Sequence, residues 1–469
     1  RAAQAHAFVG LDQRAFDQDR VSHHCRQHRR IVRLRQAALC GIGPAQAQTL
    51  LQWIGCQRYV YNAKVIEDRY FRCFARKSLA HTGQFAPIDQ QYSHFKTEQT
   101  PWLSEVPSIV LRNGTTLWKQ AYSRYFKRLG GRPTIHKKHG KQAVWLTSEL
   151  FEFKPIVDKA TGEITGHQLY LGSKKHPVGV LAFTAHKDYK IPASLHISIH
   201  AGQWHVSFNY DDGVPEPSEK ETVDWLIQFD ANQLRTMTVG LDRGVKLPLA
   251  TSDGQQFNFS DVQKKRISAQ DKHKKRWQRR QARRTKGSSN WVKAKCKVAR
   301  YQRYGANVRR DVAHKTSYAL ACDDRYKLFV FEALKVKNMT RRAKAKQDDQ
   351  GKWLRNGACA KSGLNKAILS SAWGQTKLFL QYKTKREGKL VIEVPAFYSS
   401  QECGNCGHIH QDNRASQSEF VCQSCGHTDH ADHNAAKVIA SRGVQQLLAG
   451  KCAKKEKKSC RITRTKVGA

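Results

Sequence analysis

Thr236-Met-Thr-Val-Gly-Leu-Asp242 is a short, largely apolar run that stops on a carboxylate. Its length and composition fit a strand buried on both faces. Leu247 to Ser252, followed by Asp253-Gly254 and Phe257, continues it as a hairpin. Tyr326-Lys-Leu-Phe-Val-Phe-Glu332 repeats the first pattern, and Lys389-Leu-Val-Ile-Glu-Val394 follows directly on the breaker Gly388. An acid placed after several apolar strand residues cannot offset its own desolvation unless positive charge meets it. Two Mg²⁺ ions about 3.5 to 4 Å apart would supply that charge and would activate water for phosphodiester hydrolysis. Asp432, just ahead of an apolar helix that begins Asn434-Ala-Ala, is the third acid of this kind. For any one of these acids alone, an ion pair with a nearby Lys or Arg is the competing account.

Such cations are abundant. The 469 residues hold 82 Lys+Arg against 38 Asp+Glu, a formal net charge of +44, with a pI near 10.0 and mean hydropathy −0.66. A charge this large repels itself in a compact fold and calls for a polyanion, nucleic acid above all, whereas a small acidic substrate needs only a few cations. With 10 Trp, 15 Tyr and 19 Phe the chain can build cores, which excludes wholesale disorder. The charge peaks between Lys264 and Arg310, where 19 Lys+Arg accompany the single acid Asp271, and Trp277, Trp291, Tyr301 and Tyr304 interleave with them. A pair of long basic helices fits this stretch, with Lys and Arg for phosphates and aromatic rings for exposed bases. Lys264, Lys265, Arg266, Lys274, Lys275, Arg276, Trp277, Arg279, Arg280, Arg283, Arg284, Arg309 and Arg310 are the candidate nucleic-acid contacts. A second basic stretch, Thr340 to Lys361, reads as a loop over the Glu332 side of the site.

Of 13 cysteines, nine are scattered and four form two pairs, Cys403-Gly-Asn-Cys406 and Cys422-Gln-Ser-Cys425. Each pair is followed by a glycine, Gly407 or Gly426, that lets the chain turn beneath the sulfurs. Four thiolates so spaced can close a tetrahedral Zn²⁺ shell with sulfurs about 2.3 Å from the metal, leaving no position for a catalytic water. That zinc is structural, and the usage is that of a reducing compartment. His427, His430 and His433 crowd the next stretch and read as polar surface residues, in a chain with 21 histidines. No run approaches the ~18 apolar residues of a membrane span, and the first thirty residues lack a signal-peptide core. The expectation is a cytoplasmic protein, nucleoid-associated when bound to DNA, with no membrane partner.

The N-terminal half is read from periodicity. Gln48 to Phe74 and Ser108 to Leu129 carry apolar residues at helical spacing, among them Leu50, Leu51, Ile54, Val60 and Val65 in the first. After the breakers Gly130-Gly131-Arg132-Pro133, strand signals take over through Ser194-Leu-His-Ile-Ser-Ile-His200, Ala201-Gly202 and Trp204 to Tyr210. The acidic, Pro-containing segment from Asp211 to Glu219 marks the domain boundary.

In chain order, a strand ending in Asp242, a basic helical insertion, a strand ending in Glu332, two cysteine knuckles and Asp432-His-Asn-Ala-Ala436 resemble the RuvC-like nuclease domain of the TnpB proteins. These are encoded by bacterial insertion sequences and are related to type V CRISPR effector nucleases. Gly240-Leu-Asp-Arg-Gly244, Glu332-Ala-Leu-Lys-Val-Lys-Asn338 and Tyr398-Ser-Ser-Gln-Glu-Cys-Gly-Asn-Cys-Gly407 carry the resemblance, with weaker echoes at Arg58-Tyr-Val-Tyr-Asn62, Val106-Pro-Ser108, Gly131-Arg-Pro133 and Leu364-Asn-Lys-Ala367. It implies an α+β multidomain fold: a wedge-like N-terminal β-barrel interrupted by a helical recognition module, then an RNase H-like α/β domain with an inserted zinc ribbon. It further implies a metal-dependent DNA endonuclease, with Asp242, Glu332 and Asp432 as the catalytic metal ligands and Cys403, Cys406, Cys422 and Cys425 holding one Zn²⁺. Two Mg²⁺ ions and a guide RNA from the transposon end complete it; a short motif beside the duplex target is read by protein, and base pairing reads the rest. One chain or two would bind each RNA.

The expected organisation is a tail over 1–27, the wedge over 28–47 and 130–212, the helical module over 48–129, and a linker over 213–235. The nuclease domain follows over 236–395 with basic helices at 264–310, then the ribbon over 396–428, the last motif and its helix over 429–448, and a basic tail over 449–469. Arg243 departs from the apolar or small residue many relatives have beside the first acid, and a cation there could stabilise Asp242 without metal. A nuclease-dead RNA-guided binding protein, and a CRISPR-associated effector with the same chemistry, are the alternatives; an accessory transposition protein would need the charge and zinc but no acid triad. Asp429, three residues before Asp432, does not match the Asp-x-Asn-Ala-Ala pattern.

Overall fold

The computed structural model describes residues 33–82, 90–138, 140–157, 164–184, 189–211, 213 and 215–450. The expected tail over 1–27, the turn at Thr161-Gly162 and residues 451–469 of the basic tail lie outside them. Contacts divide the chain into a unit over Ile31–Val214 and a second containing Pro215–Ala469.

In the first unit, β1 (Arg33–Gly41) leads into a helix over Pro44–Thr82, started by a proline whose fixed φ suits a first turn. A second helix, Ser108–Phe126, precedes β2 (Gln142–Thr147), β3 (Phe151–Val157), β4 (Ile164–Gly172), β5 (Pro177–Thr184), β6 (Ser194–His200) and β7 (Gln203–Asp211). The antiparallel order is β2-β6-β7-β1-β5-β4-β3. Ala201 and Gly202, at φ 49° and 78°, make the tight turn between β6 and β7. The expected barrel is instead a curled sheet: among the described residues no ladder joins its end strands β2 and β3. Curling still brings Phe153 of β3 to 5.9 Å from Phe208 of β7, strands that are not neighbours in the ladder. Leu50, Trp53 and Ile54 of the first helix complete that core.

The segment expected as a linker over 213–235 is largely helical. Ser218 and Asp230 form capping boxes with Glu221 and Gln233, which start helices at Glu219–Leu226 and Ala231–Thr236. Leu226 and Leu234 are fully buried there. Pro215 and Pro217 drew the reading toward a linker, while the Ser-x-x-Glu and Asp-x-x-Gln signatures carried the better signal.

Beyond lie β8 (Thr238–Asp242), β9 (Leu249–Thr251), β10 (Gln256–Phe257), β11 (Leu328–Glu332), the short hairpin β12 (Lys346–Gln347) and β13 (Trp353–Leu354), and β14 (Leu390–Val394). Five of them form one sheet, β10-β9-β8-β11-β14, in which β8, β11 and β14 run parallel. Alternation along β11 sends Phe329 and Phe331 to one face, with Leu320 and Leu380, and Leu328 and Val330 to the other, with Ile439 and Val444. The stretch expected as a loop over Glu332 contains the β12–β13 hairpin and the start of a helix over Ala358–Ser370.

The basic insertion between β10 and β11 is a pair of helices, Asp261–Ala282 and Ser289–Ala321, capped by Ser260 and Ser288. They outrun the expected 264–310 because Ala313, Thr316, Ser317, Leu320 and Ala321 are buried. Buried Lys389 donates to the Ala321 and Asp323 carbonyls at 2.7 and 2.9 Å, closing the end of the second helix.

The final helix, Ala431–Leu448, lies directly on the parallel strands, and two glycines permit it. A Cβ on Gly240 of β8 would sit 1.9 Å from the Ala436 carbonyl oxygen, and one on Gly443 would sit 2.2 Å from Val330 Cγ2 of β11. This close approach fixes the height of the helix start against the strand ends. Among the described residues no helix is long and apolar enough to cross a membrane.

Candidate active site and metal centre

Asp242 and Glu332 are the last residues of adjacent parallel strands, the sheet edge where open α/β sheets place their ligands. Asp432 sits in the first turn of the final helix, its amide bonded to His430 Nδ1 at 3.3 Å. The structure places Glu332 and Asp432 within electrostatic reach of Asp242, while among the described residues only the four cysteines have ligand atoms all within 4.8 Å of one another. Burial pushes the Asp242 carboxyl up to about 7, and the charges of Glu332 and then Asp432 add to the rise, against the hydrogen bond from the Arg243 backbone amide and the charge of Arg414. Glu332 is buried, and the Ser399 hydroxyl donates to its Oε1. Arg414 Nη2 lies 3.6 Å from Asp432 Oδ1. Sequence reasoning missed Ser399 and Arg414: the first stands inside the quoted Tyr398 to Gly407 stretch, and the second lies between the knuckles with no local pattern to mark it.

The Arg243 guanidinium donates to the backbone carbonyl of Glu332 and lies within electrostatic reach of Glu393, Glu332 and Asp242. Asp429, by contrast, is held by Lys437 Nζ at 2.9 Å and by the ring nitrogens His433 Nδ1 at 2.8 Å and His427 Nε2 at 3.8 Å. Burial pushes its carboxyl up, but the bonds from His433 and Lys437 outweigh that and bring it down to about 2. His433 Nε2 meets the Ser252 carbonyl at 3.0 Å, so this histidine clips the final helix to the β9–β10 turn.

The four cysteines form a separate centre. Their sulfurs all lie within 4.8 Å of one another, with 3.7 Å between Cys403 and Cys425 and 3.6 Å between Cys406 and Cys422. A tetrahedron with bonds of about 2.3 Å has edges of about 3.8 Å, so the cluster could hold a zinc-sized ion. The knuckles repeat one geometry: Gly407 and Gly426 donate to the carbonyls of Cys403 and Cys422, at φ 77° and 68°. Amide bonds from Cys425, and a weaker one from Ser424, lower Cys422 to about 6 despite its surroundings. Buried Asn413 staples the halves, donating to the Gln401 and His408 carbonyls and accepting from the Gln423 amide. Strands β15 (Glu419–Val421) and β16 (Thr428–His430) then pass the chain to the final helix. Asn434, fully buried one turn in, accepts from the Gly404 amide at 2.8 Å and donates to the Glu402 carbonyl at 2.8 Å. The Asp432-x-Asn434 pair thus joins the acid centre to the first knuckle.

The basic hairpin exposes Lys264, Lys265, Arg266, Lys275, Arg276, Arg279, Arg280, Arg283, Arg284 and Arg310, with Lys274, Trp277 and Arg309 half-buried. Half-burial falls at 263, 267, 270, 271, 274, 277 and 281, the spacing of a helix–helix seam. Lys274 is drawn into that seam by Asp271 at 2.7 Å, and Arg280 lies 4.9 Å above the Trp277 ring.

Two family models match the chain: OrfB_IS605, described as "Probable transposase", over 217–343, and the Cas12f1-like TNB domain over 373–439. The first span contains Asp242, Glu332 and the basic hairpin, and the second contains the four cysteines and Asp432. An Escherichia coli (strain K12) protein named as an RNA-guided DNA endonuclease, InsQ, is 29% identical over 418 residues, 87% of this chain and 92% of its own. A Streptomyces pristinaespiralis protein likewise named as an RNA-guided DNA endonuclease is 25% identical over 426 residues, 90% of this chain and 92% of its own. Among solved structures, the mini-RNA-guided endonuclease CRISPR-Cas_phi3 aligns over 89% of this chain and 92% of that one, at 10% identity and a TM-score of 0.43. The chain thus resembles the TnpB proteins and the Cas12f1 group, with an OrfB_IS605 match ahead of a Cas12f1-like TNB match.

Proposed function

We propose that this protein is a transposon-encoded, RNA-guided DNA endonuclease that hydrolyses phosphodiester bonds at the Asp242–Glu332–Asp432 centre. The observation that carries it is the coupling of Asp242 to both other acids across three elements, at the carboxyl end of a mixed sheet that fits the RNase H-like reading. Three carboxylates within electrostatic reach of one another offer a donor set for hard divalent cations, and two Mg²⁺ ions there would polarise the scissile phosphate and the attacking water. Ser399 holds Glu332 in place, and Arg414 presents a cation at the edge of the cluster where a phosphate would enter. The cysteine centre takes one structural Zn²⁺, and through Asn434 it steadies the helix that bears Asp432. The basic hairpin binds the backbone of the guide RNA or its hybrid with target DNA, while the N-terminal sheet and helices serve as wedge and recognition modules that read a short duplex motif.

Arg243 is the one residue that favours a site without nuclease activity, and its hydrogen bond to a backbone carbonyl rather than to a carboxylate supports the nuclease reading. The test is to purify the protein with its native flanking DNA, sequence the bound RNA and assay plasmid cleavage with Mg²⁺. Sequence-matched cutting, lost by a factor of about 10³ or more in Asp242→Ala and Asp432→Ala with RNA binding intact, is the expected result. A defined RNA with no cutting would overturn the endonuclease reading in favour of guided binding.

A further inference from the structure

The ladder between β8 and β11 ends at the Leu241–Phe331 pair. One residue on, Asp242 is matched to Ala250 of β9 and Glu332 to Val394 of β14. The pairing of the two acid-bearing strands therefore stops one residue short of their carboxylates, and beyond its last slanted bond no backbone ladder continues between them. Like charges at such a fork repel and push it open.

Arg243 crosses the gap. Its Nη2 donates to the Glu332 carbonyl, its guanidinium carbon lies 5.2 Å from the centre of the fully buried Phe331 ring, and the residue is only 7% exposed. The backbone that launches it is held as well, because the Trp373 indole N–H donates to the Gly244 carbonyl at 3.0 Å. Arg243 Nε finds no partner among the described residues. A side chain placed only as a counter-charge would turn its donors to the carboxylates; this one spends its far end on a strand carbonyl and leaves its near nitrogen unpaired.

The geometry points to Arg243 as a positioning residue: a side-chain rung that extends the β8–β11 ladder past its last pair and sets the separation of Asp242 and Glu332. This rests on the reading of those acids as metal ligands. A rung and a simple counter-charge make opposite demands. On charge alone, removing a cation beside the acids tightens divalent-metal binding; with a rung lost, the ligands splay and binding weakens. Lysine cannot stand in, since an ammonium has no plane to lie on the Phe331 ring while its edge reaches the carbonyl.

The test measures Mn²⁺ binding to the full-length, zinc-loaded chain by the paramagnetic resonance signal of the free ion, for the wild type, Asp242→Ala, Arg243→Lys and Arg243→Met. Zinc content, melting and hydrogen exchange over residues 328–336 are read on each. Both Arg243 variants should bind Mn²⁺ about 10-fold more weakly, the usual cost of losing an outer-shell support. Exchange over 328–336 should rise, while zinc content and exchange over 403–425 stay as in the wild type. Unchanged or tighter Mn²⁺ binding in Arg243→Met overturns the rung. If the wild type binds no Mn²⁺, or Asp242→Ala binds it equally well, the metal-ligand reading fails instead. Exchange over 328–336 then decides the rung alone, with no increase in either Arg243 variant refuting it.

Discussion

The cysteine centre gathers all its ligands between Cys403 and Cys425, each knuckle shaped by its own glycine and amides. The acid centre draws on Asp242, Glu332 and Asp432, which meet only after a sheet has formed and a helix has docked on it. The contrast extends to charge. Thiols within one loop system accept a metal by losing protons, so folding of the ribbon and binding of the ion are one event. Carboxylates brought in by a sheet are in place before any ion arrives, and they carry their mutual repulsion as a cost to the fold. Loss of metal should therefore unfold the first centre and leave the second standing but strained.

The largest effect should come from breaking the cysteine centre. Cys403→Ser is expected to release the one zinc ion proposed for this centre and to open residues 400–430 to proteolysis. Metal release from such sites forfeits on the order of 10 kcal/mol of binding free energy. Cleavage should fall with it, because Gly404 and Glu402 hold Asn434 and the ribbon carries Arg414 to Asp432. The parallel strands should persist, as protection of residues 328–332 from hydrogen exchange would record. Full zinc content in the variant would refute the ligand assignment.

The acid centre is sharpened by pH. In the metal-free chain Asp242 titrates near 7, against about 3.9 when unfolded. Between those values the folded state keeps a proton that the unfolded state releases, so stability falls as pH rises from about 4 to about 7. Asp242→Asn removes this penalty. It should be more stable than the wild type by up to about 4 kcal/mol at pH 8, a ceiling because the side chain keeps partial access to water, and by almost nothing at pH 4. Urea titrations at both pH values measure the difference. Mg²⁺ should narrow the gap at pH 8 by stabilising the wild type alone, and a gap independent of pH would show that the carboxylate charge is not its source.

The same division explains what could be read from the chain. Paired cysteines and an apolar strand closed by an acid are local signals, legible in a few residues. The approach of the final helix is not local: Gly240 and Gly443 stand two hundred residues apart, and nothing near either one names Ala436 or Val330 as its neighbour. Ser399 and Arg414 were missed for the same reason. The helices at Glu219–Leu226 and Ala231–Thr236 were missed for a different one, since prolines and acids outweighed two capping boxes that were present in the sequence. The curl of the N-terminal sheet depends on which strands are neighbours, and alternation within one strand carries no record of that.

The smallest effect separates two aspartates three residues apart. Asp429 is held near pKa 2 by His433 and Lys437, below its unfolded value of about 3.9, so it contributes stability above pH 4 that disappears as pH falls toward 2. Lys437 is partly open to solvent, which screens the pair and limits the contribution to about 1 kcal/mol. Asp429→Asn should lose that amount at pH 7 and nothing at pH 2, with cleavage kept within several-fold because the final helix remains seated on Gly240. Asp432→Ala should show the reverse, with nearly wild-type melting and no cleavage. A variant of Asp429 that melts normally yet cannot cut would exchange the roles of the two acids and move the third metal ligand from the final helix back into β16.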